Sequence, residues 1–162
     1  MTRPPLTLIA ALLLSFVALP LTAGAESTTV ASRAIVKVAF NKKLKKSILV
    51  DVRGRTLYMS TADGRDYPSC YDDPDTHCAK LWPPLLTTGA PRAGHGAKAS
   101  LLGVAKRGSE GLQVTYNHHP LYTNSGAKDL GLVADKKPGD VHGQGFYHVW
   151  YVLSPKGTPI GY

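Results

Sequence analysis

Val50-Asp51-Val52-Arg53-Gly54-Arg55-Thr56-Leu57-Tyr58 aligns with Val114-Thr115-Tyr116-Asn117-His118-His119-Pro120-Leu121-Tyr122, position for position, at an offset of 64 residues. Each segment opens with apolar residues on alternate positions, breaks at a polar turn, and resumes in a short run ending Leu-Tyr. Alternation marks a half-buried strand, and two such runs around a tight turn mark a hairpin. A hairpin that recurs once predicts a small all-β domain assembled from two related β-hairpin repeats.

Working outward, Ile35–Phe40 is β-branched and partly alternating, so it is expected as a strand. Asn41–Lys46 reads as a loop tip, Ser47–Val52 as a second strand and Thr56–Ser60 as a third. Residues 63–80 are rich in Asp, Pro and Ser and carry both cysteines, which predicts an ordered loop. One turn of helix fits Thr76–Leu81. Leu81–Leu86 contains Pro83 and Pro84, which cannot donate to a ladder, so an extended segment is expected there. Residues 87–100 read as a connector. Leu102–Arg107 and Leu112–Asn117 form a strand pair around a turn at 108–111, and Tyr147–Leu153 is the closing strand. The repeat halves are then about 47–86 and 102–157, within a domain spanning 35–162.

The first 25 residues read as a secretory signal. Arg3 precedes an apolar run from Leu6 to Leu19, Pro20 ends it, and Ala23-Gly24-Ala25 fits a cleavage site. The run is shorter than the ~20 residues a membrane-spanning helix requires. The expected product begins at Glu26 with a flexible lead-in, 26–34, and is periplasmic or secreted. Cys70 and Cys78 are the only cysteines. A close pair in an exported chain predicts a disulfide that staples the 63–80 loop. A soft metal site of Cys70, His77 and Cys78 with Met59 is the alternative.

Lysine and arginine number 19 against 11 acids, a net charge of +8. Such a balance favours anionic partners, here cell-envelope polymers or acidic lipid headgroups. Nucleic acid suits the charge but not the compartment. Lys42, Lys43, Lys45 and Lys46 make a basic tip that could contact such an anionic surface, or simply keep a strand edge soluble.

The residues Gly54-Arg55-Thr56-Leu57-Tyr58, Asp63, Cys70 and Cys78-Ala79-Lys80-Leu81-Trp82-Pro83-Pro84-Leu85 resemble a bacterial family of secreted repeat proteins and predicted lipoproteins. So do Tyr116, Pro120-Leu121-Tyr122, Gly143-Gln144-Gly145 and Trp150 in the second half. That family is marked by Tyr-x-aromatic-x-x-Asp after Gly-x-Thr-Leu-Tyr. The resemblance implies a β-rich repeat outside the cytoplasm and carries no activity. This chain departs from the motif twice. Ser60 stands at the aromatic position, and the second copy reaches its acid only at Asp129.

The chemistry-bearing residues exclude several classes. Glu26 and Glu110 are the only glutamates, one in the lead-in and one in a turn, so a Glu-centred acid–base site is ruled out. No nucleophile elbow or phosphate-cradling glycine loop occurs. Five aspartates lie between Asp63 and Asp75, but without the spacing of a calcium loop. His118, His119, His142 and His148 are the candidate ligands if copper or zinc binds, since neutral imidazole suits both metals. No cofactor is otherwise expected. The reading is a non-enzymatic exported binding or envelope-associated protein, with a periplasmic metal or redox accessory protein as the alternative.

Overall fold

The computed structural model describes Met1 and residues 33–162. The expected signal segment beyond Met1, and residues 26–32 of the lead-in, lie outside the described residues. Among the described residues the architecture is all-β, with one four-residue α-helix. β1 (Ile35–Asn41) and β2 (Lys46–Val50) form an antiparallel hairpin. β3 (Tyr58–Ser60) is followed by the helix α1 (Cys78–Leu81), β4 (Leu86–Thr87) and β5 (Arg92–Ala93). Next come β6 (Leu102–Lys106), β7 (Leu112–Tyr116), β8 (His119–Pro120) and β9 (Trp150–Val152).

Three small sheets result: β2-β1-β5, β3-β9, and β4-β7-β6 with β8 added to β7. Short bonds outside the ladders stitch them together. Tyr58 and Tyr122 exchange both backbone hydrogen bonds, each 2.9 Å. Leu49 N donates to Leu153 O, and Val114 N donates to Leu85 O. Tyr58 faces Val152 across a ladder, while Tyr122 faces Pro84. Each Leu-Tyr end therefore pairs with a segment that follows the other hairpin.

Alternation along these strands separates two cores. Ile48, Val50, Tyr58, Tyr122, Trp150 and Val152 face one side with Trp82. Leu49, Leu57, Met59, Val114, Leu121 and Leu153 face the other. Successive side chains point to opposite faces of a strand, so a sheet buried on both sides reads as a continuous apolar run. That is why Ile48-Leu49-Val50 and Tyr151-Val152-Leu153 are buried without a polar partner face. The first core is aromatic. Trp82 and Trp150 stack with centroids 4.0 Å apart, and Tyr58 and Tyr122 meet them edge-on at 5.3 and 5.2 Å. Edge-to-face contacts suit the ring quadrupole.

The two hairpin turns differ. Around Asp51–Arg55, Gly54 N donates to Asp51 O, Asp51 N to Arg55 O, and Gly54 takes φ +82°. This is a turn with an extra residue absorbed at a left-handed glycine. Asn117 and His118 instead take φ 49° and 67° between paired Tyr116 and His119, the two-residue turn whose central positions both need positive φ. The pairing register consequently slips by one. Leu57 N bonds Leu49 O, but Leu121 N bonds Val114 O, and both leucines are fully buried.

Several expected strands are shorter. The closing strand starts at Trp150 rather than Tyr147, because Tyr147 and His148 have φ 51° and 56°. Thr56 and Leu57 contribute bonds without continuing β3. The connector holds more structure than its composition suggested. Arg92–Ala93 pairs in parallel with the start of β1, and Leu86–Thr87 adds to β7. The expected turn of helix is α1, and Cys70 and Cys78 form the disulfide, with Cα atoms 5.3 Å apart.

Candidate functional site

A cleft of about 870 Å³ lies between the β1–β2 hairpin and the loop 133–142. Its construction begins with Asn41, which is 2 % exposed. The Asn41 Oδ1 accepts from Leu44 N at 2.9 Å and fixes the hairpin tip. Its Nδ2 donates to Gly139 O at 3.1 Å and fixes the facing loop. Asp140 Oδ2 accepts from the backbone of Lys136 and Lys137, and Thr56 Oγ1 donates to Asp140 O at 2.6 Å. Those amides hold the Asp140 carboxyl below the usual aspartate range, even though desolvation opposes the shift.

These bonds set Lys42 and Lys43 on one rim and Lys136 and Lys137 on the other. All four lysines are exposed. Phe40 and Val133, 66 % and 57 % exposed, supply apolar surface with Ala39 and Pro138, above the buried Ile48 and Val50. An apolar floor with a few placed charges is the usual composition of a small-molecule site, and the volume lies within the usual range. The cleft lining contains no Ser, Thr, Cys or Glu.

His142 also lines the cleft, and its Nδ1 lies 3.2 Å from Asp135 Oδ1. Asp135 is buried and accepts from Tyr58 Oη at 2.6 Å and from His142 N at 2.9 Å. Burial, with the Asp135 charge beside it, holds the Tyr58 phenol protonated far above its ordinary range. A matching pair lies at the other end of the aromatic stack. Tyr122 Oη donates to Asp63 Oδ1 at 3.2 Å, and Ser69 donates to the same oxygen from its amide and hydroxyl. The Tyr122 phenol is likewise shifted upward by burial and by Asp63. The other Asp63 oxygen is buried and no protein group donates to it. Burial raises the Asp63 carboxyl, and the nearby Arg107 guanidinium works against that rise.

The motif residues are structural supports for this arrangement. Gly54 makes the bulged turn. Gly143 packs so closely on the aromatic core that a Cβ would lie 2.5 Å from the Trp82 ring. Gln144 joins two backbone segments, accepting from Val152 N and donating to Ile160 O. Tyr116 accepts from Lys98 N and donates to Pro155 O. The acids cross between the copies: Asp135, which follows the second copy, accepts from Tyr58, and Asp63, which follows the first, accepts from Tyr122. Asp129 lies exposed in a short 3-10 turn, whereas Asp135 is carried back to Tyr58 by Asn124 and the loop after it.

The four candidate metal histidines are not brought together. His118 sits on Asp66 and Arg65, His142 on Asp135, and His148 lies in the left-handed turn before β9. Burial, together with the neighbouring His118, lowers the basicity of His119. Among the described residues no group of three or more His, Cys, Asp or Glu side chains could hold a metal ion. The Cys70–His77–Cys78 alternative gives way to the disulfide, because the thiolates are spent on each other. Of the basic tip, Lys42 and Lys43 reach the cleft, and Lys45 and Lys46 do not line it.

Sequence reasoning missed Lys136, Lys137 and Arg107. The two lysines precede Pro138-Gly139-Asp140, a recognisable turn signal. Arg107 gave no signal, since it ended an ordinary strand. It is fully buried, donating to Cys70 O at 2.7 Å and Gln113 Oε1 at 2.9 Å, and it lies over the Tyr71 ring. No helix among the described residues is long and apolar enough to cross a membrane. No family model matches the chain, and no curated protein or solved structure matches it.

Proposed function

We propose that this chain is an exported, non-enzymatic binding protein, of the secreted-repeat kind its motif residues resemble, and that its ligand is an amphipathic anion. The cleft carries the reading: two lysine pairs face each other across an apolar floor, and buried Asn41 clamps both rims. An acyl or aryl portion would cover Phe40 and Val133, with its acidic group among the lysines. Apolar burial supplies about 25 cal/mol per Å², and the charges set orientation and on-rate. The disulfide supports an oxidising compartment.

Calorimetric titration of the exported chain with dodecanoate tests the reading, with neutral dodecyl maltoside as comparison. Saturable micromolar binding of dodecanoate is expected, at least tenfold weaker in a Lys136→Ala/Lys137→Ala variant. Equal affinity for the neutral amphiphile, or no saturable binding, removes the proposal. N-terminal sequencing of the exported form is expected to start at Glu26, and a start at Met1 contradicts export with cleavage.

A further inference from the structure

A second cleft, of about 810 Å³, is lined by Arg33, Arg53, Arg55 and Arg92. Four arginines converge there from three separate stretches of chain, and that convergence is built. Ile35 pairs with Arg92 in the parallel ladder, and Arg92 N donates to Ala34 O at 2.8 Å, so the first and last arginines enter from adjacent strands. The other two are carried by the bulged turn. Asp51 Oδ1 accepts from Arg53 N and Arg55 N, both at 2.9 Å, which folds the turn around one buried carboxylate. Asp51 Oδ2 then accepts from Arg55 Nε at 2.7 Å.

Asp51 is the acid lining this cleft, and its two oxygens take three donors from its own turn. It compensates Arg55. Among the described residues Arg33, Arg53 and Arg92 have no carboxylate partner, and all three are exposed. Like charges repel, so three unpaired guanidiniums around one concavity cost free energy unless an anion enters. Val52 and Leu86, 56 % and 45 % exposed, give the cleft an apolar side.

We infer that this cleft is a binding site for an anion carrying two or more phosphoryl groups. Guanidinium presents a planar fork of donors that matches phosphate oxygens in pairs, and it stays charged at every accessible pH. Three forks call for more acceptor oxygens than one carboxylate has. The volume exceeds what a single phosphate fills and suits a chain of linked phosphoryl groups. The site is separate from the lysine-rimmed cleft, and the inference does not rest on the amphiphile reading.

The same chemistry occurs in terminal polyphosphates and in phosphodiester polymers. Titration of the exported chain at 150 mM salt with inorganic tripolyphosphate and with a glycerol-phosphate polymer distinguishes them, and citrate serves as the carboxylate control. Saturable binding of at least one phosphoryl probe, tenfold or more tighter than citrate, is expected. Tripolyphosphate alone points to terminal phosphoryl groups, and the polymer alone to diesters. Arg53→Ala/Arg92→Ala should weaken binding at least 30-fold. Arg53→Lys/Arg92→Lys, which keeps the charge but loses the forks, should weaken it about fivefold. Lys136→Ala/Lys137→Ala, on the other cleft, should leave it within twofold. Citrate binding as tightly, no saturable binding of either phosphoryl probe, or equal losses in the arginine and lysine variants would overturn the assignment.

Discussion

The two ends of the aromatic stack use the same pair of residues and stabilise it differently. At one end Tyr58 rests on Asp135, which accepts from the phenol on one oxygen and from the His142 backbone on the other. At the other end Tyr122 rests on Asp63, where the donors crowd one oxygen and leave the second without one. The first end is satisfied by hydrogen bonds. At the second, Ser69 and Tyr122 hydrogen bonds do most to favour the charged carboxyl, and the buried Arg107 adds a smaller contribution. The loops explain the difference. The Asp135 loop brings Tyr58 and the His142 amide to different oxygens, while the turn that Asp63 opens brings Ser69 and Tyr122 to one. Two positions that align in sequence can therefore keep side chains and geometry while distributing their donors differently.

Removing Arg107 should have the largest effect. Arg107→Ala strips donors from Cys70 O, Gln113 and Glu110 at a fully buried position, so a loss of about 3–5 kcal/mol is expected in urea unfolding. A loss below 1 kcal/mol would show that these bonds do not hold the Asp63 end. Opening the disulfide acts on the same end, since Cys70 carries the carbonyl that Arg107 holds. Cys78→Ser should cost about 2–3 kcal/mol by releasing a short closed loop in the unfolded chain.

The tyrosines sharpen the comparison directly. Tyr58→Phe should cost about 2 kcal/mol, because a buried 2.6 Å bond to a carboxylate is lost. Tyr122→Phe should cost about 1 kcal/mol, since its 3.2 Å bond goes to an oxygen that keeps two other donors. Equal losses would remove the distinction between the ends.

The smallest effect is in pH dependence. Asp63 is raised in the folded state, chiefly by burial, so folding favours its protonated form. Its contribution is full below the unfolded aspartate value near 3.8 and is lost as pH rises through the higher folded value. Asp63→Asn should flatten the fall in stability that this group causes above pH 4, as read from melting temperatures at pH 4 and pH 7. An unchanged pH profile would show that Asp63 stays ionised throughout.

The hairpins, the leucines at their ends and the bridged cysteine loop were legible because each depends on local chemistry. Alternation needs neighbours two residues away, and Gly54 and Asn117 mark their turns at their own positions. Asp135 was not legible as the partner of Tyr58. Sequence spacing named Asp129 only as the acid following the second Leu-Tyr, whereas the partner of Tyr58 is set by where a long loop returns. The histidines failed for the same reason. Shared residue type gave a candidate site, but His118 and His142 were each claimed by a different aspartate.

What this chain's sequence determined alone was its class: a β-rich domain with hairpin turns, a net positive charge and one close cysteine pair. These follow from periodicity, turn chemistry and composition, which act over a few residues. Only the tertiary structure decided that Lys42 and Lys43 face Lys136 and Lys137, and that Arg33, Arg53, Arg55 and Arg92 share one cleft. Those meetings join residues far apart in the chain through single hydrogen bonds, such as Asn41 to Gly139 and Arg92 to Ala34. A bond between distant segments leaves no periodic trace in either one, so its partners become known only once the fold brings them together.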